Sequence, residues 1–187
     1  MDIIIAGCGA IGSRIILEVA DQFDHILLID DDVIEQNNIG TSVYYQYAIG
    51  SKKTTWLQEQ IYYKFNKVSD AYNKTLEKYI SNLHQIHPDC IVIDSFDNPQ
   101  ARLLTLNANT LHVGVSQFGS GAVMWNEIYP KPELDFERGN NPVCTNNLGK
   151  QLIQFASSIA IGSILHYVQT GEKRSFIFQE DMTINKV

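Results

Sequence analysis

The stretch "IIIAGCGAIGSRI", residues 3–15, decides the fold. An apolar run leads into Gly7, Gly9 and Gly12 at G-x-G-x-x-G spacing, and a helix-compatible segment follows. This is the pattern of a strand, a tight turn and a helix N-terminus. Such a turn aims backbone N–H groups and the positive end of a helix dipole at an anion. The spacing alone leaves open whether the anion belongs to a dinucleotide redox cofactor or to ATP, or whether the glycines only permit a tight turn.

Working outward, the chain alternates short apolar runs with helical stretches, which predicts an α/β fold. Strands are expected near 2–6, 25–30, 68–73, 90–94 and 111–115, with a later pair near 121–129 and 174–179. Helices are expected near 11–21, 51–66, 76–86, 99–109 and 149–169. The expected architecture is a Rossmann-like three-layer fold whose sheet is mainly parallel with a later antiparallel portion. With no repeat, low-complexity tract or shift of composition, residues 1–187 are expected to form one domain. Residues 126–147, "NEIYPKPELDFERGNNPVCTNN", carry three prolines and read as a long loop of the kind that carries function.

Composition narrows the partners. A net charge of −7, with no more than two basic residues in succession, argues against a nucleic-acid surface. Cys8, Cys90 and Cys144 are too few and too widely spaced for a disulfide framework or a four-cysteine zinc site. A cytoplasmic setting is expected, since Met1 leads directly into an apolar strand with Asp2 where a secretory signal would be basic. The uncharged segment 152–168 is at the short limit for a membrane span and contains Gln154, His166 and three serines. It reads as a core or subunit-interface helix, and no membrane association is expected.

Three further stretches carry chemistry. In "LLIDDDVIEQNN" Asp30 lies 18 residues beyond Gly12, where a ribose-binding carboxylate belongs. Asp31, Asp32 and Glu35 crowd the same strand end, more carboxylates than a redox cofactor uses. Lys52 and Lys53 open a helix, where a cation is disfavoured by the dipole unless an anion faces it. In "IVIDSFDNPQARL" Asp94 and Asp97 end a strand whose carboxyl edge should share a crevice with the glycine turn. Asp97 suits a Mg²⁺ ion on a triphosphate, and N-capping of the following helix is the structural alternative.

Taken in order, G-x-G-x-x-G, "IDDDVIEQNNI", "IGSKK" and "VIDSFDNPQAR" resemble the adenylating domain of the ubiquitin-activating enzyme superfamily, of the ThiF/MoeB type, over about residues 3–130. The resemblance implies an adenylyltransferase: a substrate carboxylate, such as the C-terminus of a small protein or peptide, attacks the α-phosphate of MgATP. It implies Gly7, Gly9 and Gly12 for the nucleotide turn and Asp30 for the ribose. It places Asp32 and Asn38 beside the nucleotide, Lys53 (with Lys52 adjacent) on the phosphates, and Asp97 on Mg²⁺. Arg102 matches a recurrent structural position, and a homodimer is implied.

There are departures from the pattern. Where the family reads Asn-Leu-x-Arg-Gln, this chain has Asn38-Ile39-Gly40-Thr41-Ser42, so Thr41 replaces a phosphate-facing arginine. No segment ahead of the first strand offers the arginine that family dimers exchange; Arg14 or Arg138 are the substitutes. The paired Cys-x-x-Cys zinc ligands are absent, and Cys144 lies where some relatives place a reactive cysteine. These departures motivate a second reading, a catalytically weak nucleotide-binding partner subunit. A third, an NAD-dependent oxidoreductase, rests on the glycine turn and Asp30.

Overall fold

A computed structural model describes residues 1–82, 89–116, 118–131 and 147–187. Strand β1 (Asp2–Ala6) is apolar from Ile3 onward, and residues 3–6 are buried on both faces. That composition suits a central parallel strand covered on both sides. It lies between β2 (His25–Ile29) and β4 (Cys90–Asp94), parallel to both, with Ala6 opposite Ile29 and Asp94. With β3 (Asp70–Tyr72), β5 (Asn109–Val115), β6 (Ser120–Trp125), β7 (Phe176–Gln179) and β8 (Ile184–Lys186), the sheet runs β3-β2-β1-β4-β5-β6-β7-β8. The first five in this order run parallel to one another; β6, β7 and β8 each run antiparallel to the strand before them.

Period-two alternation divides the core between the two faces of the sheet. Ile3, Ile5, Ile91, Ile93, Leu111 and Val113 share one apolar cluster with Ile15, Ile16 and Val19 of α1 (Gly12–Val19). Leu57 and Ile61 of α2 (Lys53–Phe65) and Ala156, Ala160 and Ile164 of α5 (Asn147–Thr170) complete it. Ile4, Ala6 and Val92 face the other way, toward α3 (Leu76–Asn82) and the residues around α4 (Pro99–Leu103). The result is the three-layer, Rossmann-like arrangement expected from the sequence. Helix α2 ends where Asn66 enters the left-handed region at φ 54°, its N–H on the Tyr62 carbonyl. A short polar side chain tolerates that conformation.

Helix α5 is long and apolar enough, by length and composition, to cross a membrane. In this fold its inward stripe packs on α1, β5 and β6. The Trp125 indole N–H donates to Ser163 Oγ at 3.0 Å, fixing β6 against the helix.

Several boundaries differ from expectation. The helix expected over 99–109 spans only Pro99–Leu103, and residues 104–107 are turns, because Thr105 Oγ1 donates to Arg102 O and strand β5 begins at Asn109. The strand expected to reach 129 stops at Trp125, where the chain turns and Ile128 N–H bonds the Trp125 carbonyl. Edge strand β8, too short and polar to show a period, was not expected. Part of the helix expected over 76–86, and Arg138 and Cys144 in the long loop, lie outside the described residues.

Candidate functional site

In open α/β sheets ligands meet the carboxyl ends of the strands, and here the predicted groups converge on the ends of β1, β2 and β4. Gly7 takes φ +94°, open to glycine and strained for other residues. Its N–H bonds the Ile29 carbonyl at 3.0 Å, and Ser95 Oγ donates to its carbonyl at 2.7 Å. A Cβ on Gly12 would stand 2.0 Å from the Gly7 oxygen and 2.6 Å from Ser95 Oγ, so only glycine lets α1 start against the turn. A Cβ on Gly9 would meet nothing within 4 Å, leaving room above the turn.

Asp30 sits at the end of β2, 8% exposed. Its carboxylate accepts the Cys8 N–H at 2.7 Å and the Asp32 N–H at 2.9 Å, tying the glycine turn to the acidic segment. The two lysines separate. Lys52 turns its ammonium to the Asp31 carbonyl. Lys53 is buried, its Nζ 2.6 Å from Asp32 Oδ2 and 3.9 Å from Asp30 Oδ1. Burial pulls the Lys53 ammonium down, but Asp30 and Asp32 together hold it above the usual lysine value. Asp30 moves up, because burial outweighs the attraction of Lys53 and its two backbone donors. The two directions belong to one pair: Lys53 keeps its charge, and burial is the dominant influence on Asp30. Burial, then the negative charge of Asp30, also pushes the Cys8 thiol well up, so Cys8 is a structural side chain of the turn.

Asn38 is half-buried, and its Oδ1 caps a short 3-10 turn by accepting the Glu35 N–H at 2.9 Å. Thr41 is buried and donates to the Asn37 and Asn38 carbonyls. Its own carbonyl accepts both Nε (3.3 Å) and Nη2 (3.1 Å) of Arg14. The arginine singled out as a substitute therefore sits on the residue that replaces the family arginine. Burial lowers the Arg14 guanidinium somewhat from its ordinary value. Arg14 lines a cleft of about 780 Å³ together with residues 39, 40 and 42–46 and parts of α2 and α5.

Asp97 is exposed on the turn after β4. The cap of α4 is its neighbour Asn98, whose Oδ1 accepts the Gln100 N–H at 2.9 Å, so N-capping is not the role of Asp97. Among the described residues, the acidic side chains close enough to share a cation are Asp30, Asp31 and Asp32, with Lys53 Nζ against Asp32.

A second cluster went unnoticed in the sequence. Asp94, wholly buried, accepts the Phe96 N–H at 3.1 Å on Oδ1. On Oδ2 it meets His112 Nδ1 at 2.7 Å and Thr105 Oγ1 at 3.3 Å. His112 Nε2 lies 3.1 Å from Asn126 Oδ1, and the Tyr129 ring stacks on His112 at 3.8 Å. Arg102 donates to the Phe96 carbonyl (2.7 Å), the Val113 carbonyl (3.0 Å) and Tyr129 Oη (3.3 Å). This cluster closes one wall of a cleft of about 510 Å³ under the antiparallel half of the sheet, along Gly114, Ala122, Ile177 and Asn185. Asp94 and Arg102 are visible in the sequence as separate positions; the residue that joins them, a lone histidine on a strand, does not identify its partners there.

The sequence profile of the ThiF family matches residues 1–127. No curated protein matches the chain by sequence. Among solved structures it is similar to Escherichia coli MccB with ATP, at TM-score 0.74 and 17% identity over 100% of this chain and 62% of that one. MccB with AMPCPP and MccA gives TM-score 0.73 and 16% identity, over 100% and 63%. PaaA gives 0.69 and 14%, over 100% and 72%. The chain thus spans about 63% of the length of MccB, and identities of this size speak for the fold.

Proposed function

The chain belongs to the ThiF family, and from that premise we propose that it is an adenylyltransferase activating the C-terminal carboxylate of a peptide or small protein. In the reaction a carboxylate oxygen attacks the α-phosphorus of ATP. The bond between the α-phosphorus and the bridging oxygen to the β-phosphate breaks, and pyrophosphate leaves an acyl adenylate. The observation that carries the reading is Lys53, a buried ammonium between Asp30 and Asp32 beside the glycine turn. A buried cation with charge to share at a phosphate-binding turn suits a triphosphate better than a nicotinamide dinucleotide. MccB, of the same fold, has been solved with ATP and with N-formylated MccA, which supports a nucleotide and a second substrate.

The turn N–H groups and the α1 N-terminus would bind phosphate, and Asp30, which fixes the turn against β2, would contact the ribose. Asp32 and Asn38 would flank the nucleotide, and Lys53 would leave Asp32 for the phosphates. Asp97 offers an exposed hard oxygen ligand at the strand end, the donor type Mg²⁺ takes alongside phosphate oxygens. When bound, that ion would neutralise charge on the phosphates. Arg14, through its place at Thr41, is the candidate for the positive charge the family draws from residue 41.

Magnesium-dependent exchange of pyrophosphate into ATP, with peptides ending in a free carboxylate, tests the reading. It is expected in the wild type and lost in Asp97→Ala; undiminished exchange in that variant removes Asp97 from the site. The buried Thr41 favours a second reading, a nucleotide-binding partner subunit that turns over only with another protein. ATP binding without exchange by the chain alone would select it. A cytoplasmic homodimer is part of the leading proposal, and sedimentation of the full chain tests the dimer.

A further inference from the structure

The cluster that precedes Asp97 is tied through side chains from separate elements. His112 is buried, with a partner at each ring nitrogen: Asp94 Oδ2 at Nδ1 (2.7 Å) and Asn126 Oδ1 at Nε2 (3.1 Å). The Asn126 amide is not free to turn over, because its Nδ2 donates to the Leu106 carbonyl, and reversal would set two oxygens together. The other groups around the ring are Arg102, at 3.9 Å from Asp94 Oδ2, Thr105 Oγ1 on the same carboxylate, and the stacked Tyr129 ring.

The same network grips one residue from both sides. The Phe96 N–H is held by Asp94 Oδ1, and the Phe96 carbonyl by Arg102 Nε. Next to it, Ser95 N–H bonds Ala6 O and Ser95 Oγ bonds Gly7 O. The residue that follows Phe96 is Asp97.

We propose that His112, set between Asp94 and Asn126, is through Asp94 a positioning residue for the turn that presents Asp97. Its Nδ1 holds Asp94 at Oδ2, so that the second carboxyl oxygen faces the Phe96 N–H. Arg102, held by the tyrosine that stacks on His112, fixes the Phe96 carbonyl on the other side of the same residue. A buried network whose members are each tied at more than one point holds such geometry more firmly than a single bond. The consequence for metal affinity rests on the reading that Asp97 serves nucleotide-bound Mg²⁺; the consequence for the turn does not.

Amide exchange in the full wild-type chain tests the clamp without any variant: the Phe96 amide is expected to be protected as well as the β1 amides, and rapid exchange at Phe96 overturns the proposal. In His112→Gln the Phe96 amide is expected to exchange with solvent about tenfold faster, the effect of weakening one hydrogen bond to a charged group, while β1 amides keep their protection. Unchanged exchange at Phe96 refutes the positioning role. The Mg²⁺ concentration for half-saturation of ATP binding should rise about tenfold in the same variant, with metal-free ATP binding unaltered; an equal loss of both marks a merely structural residue. A wild type that binds no MgATP defeats the adenylyltransferase reading and leaves amide exchange to decide the positioning role.

Discussion

Replacing Lys53 by methionine removes one charge from the centre of the site while keeping most of the buried volume. In the wild type the Nζ–Oδ1 distance to Asp30 is 3.9 Å and both side chains are under a tenth exposed. At an effective dielectric of about 20 the pair attraction is about 4 kcal/mol. Asp32, 66% exposed, adds less than about 1 kcal/mol. Against this, the variant no longer has to bury an ammonium, and Asp30 keeps its two backbone N–H donors. A net loss of about 2–3 kcal/mol follows, at or below the low end of the range for breaking a buried ion pair. The pH dependence has a definite sign. Burial already raises Asp30 above the ordinary 3.8, and removing Lys53 takes away the main influence opposing that rise. The penalty of an ionised, unpaired Asp30 is therefore full near neutral pH and fades as the pH falls through the raised Asp30 value. Urea unfolding of both proteins near neutrality and in mild acid gives the two differences. Asp30→Asn in the Lys53→Met background should recover only part of the loss, because the asparagine NH2 cannot accept one of the two backbone N–H bonds. A penalty below about 0.5 kcal/mol, or one that does not shrink in acid, refutes the placement of Lys53 as counter-ion to Asp30.

Other perturbations probe the remaining parts. Gly12→Ala puts a methyl 2.0 Å from a backbone carbonyl, so it should cost about 1–3 kcal/mol in urea unfolding and sharply weaken ATP binding in calorimetry. Arg14→Ala should slow pyrophosphate exchange about 10²-fold while lowering stability by about 1 kcal/mol, the value of its bonds to Thr41 O. Glu172, paired with His166, Arg174 and Lys186, is lowered from 4.5 to about 2 by these partners. Its folded-state value is depressed, so its contribution is present above 4.5 and lost as the pH falls toward 2. Glu172→Gln should flatten thermal stability in that window, and an unaltered acid profile would exclude the pairing.

Much of this molecule follows from local sequence. The run Ile3–Ala6 specifies a doubly covered strand because every residue from Ile3 is apolar. Gly7 and Gly12 specify the turn because a side chain at either meets positive φ or a carbonyl. Asp30 and Asp97 are legible because the ends of β2 and β4 follow directly from their apolar runs. The tertiary structure decided what lies far apart in sequence. It turned Lys53 inward and Lys52 outward, although the residues are adjacent and chemically alike, because α2 starts antiparallel to Val33 and only one of two successive side chains can face Asp30. It brought Arg14 to Thr41 across 27 residues and joined Asp94, His112 and Asn126 from two strands and a turn. Periodicity along a chain records which face a residue occupies; which side chains meet across that face depends on strand order and register, which arise only when the sheet assembles.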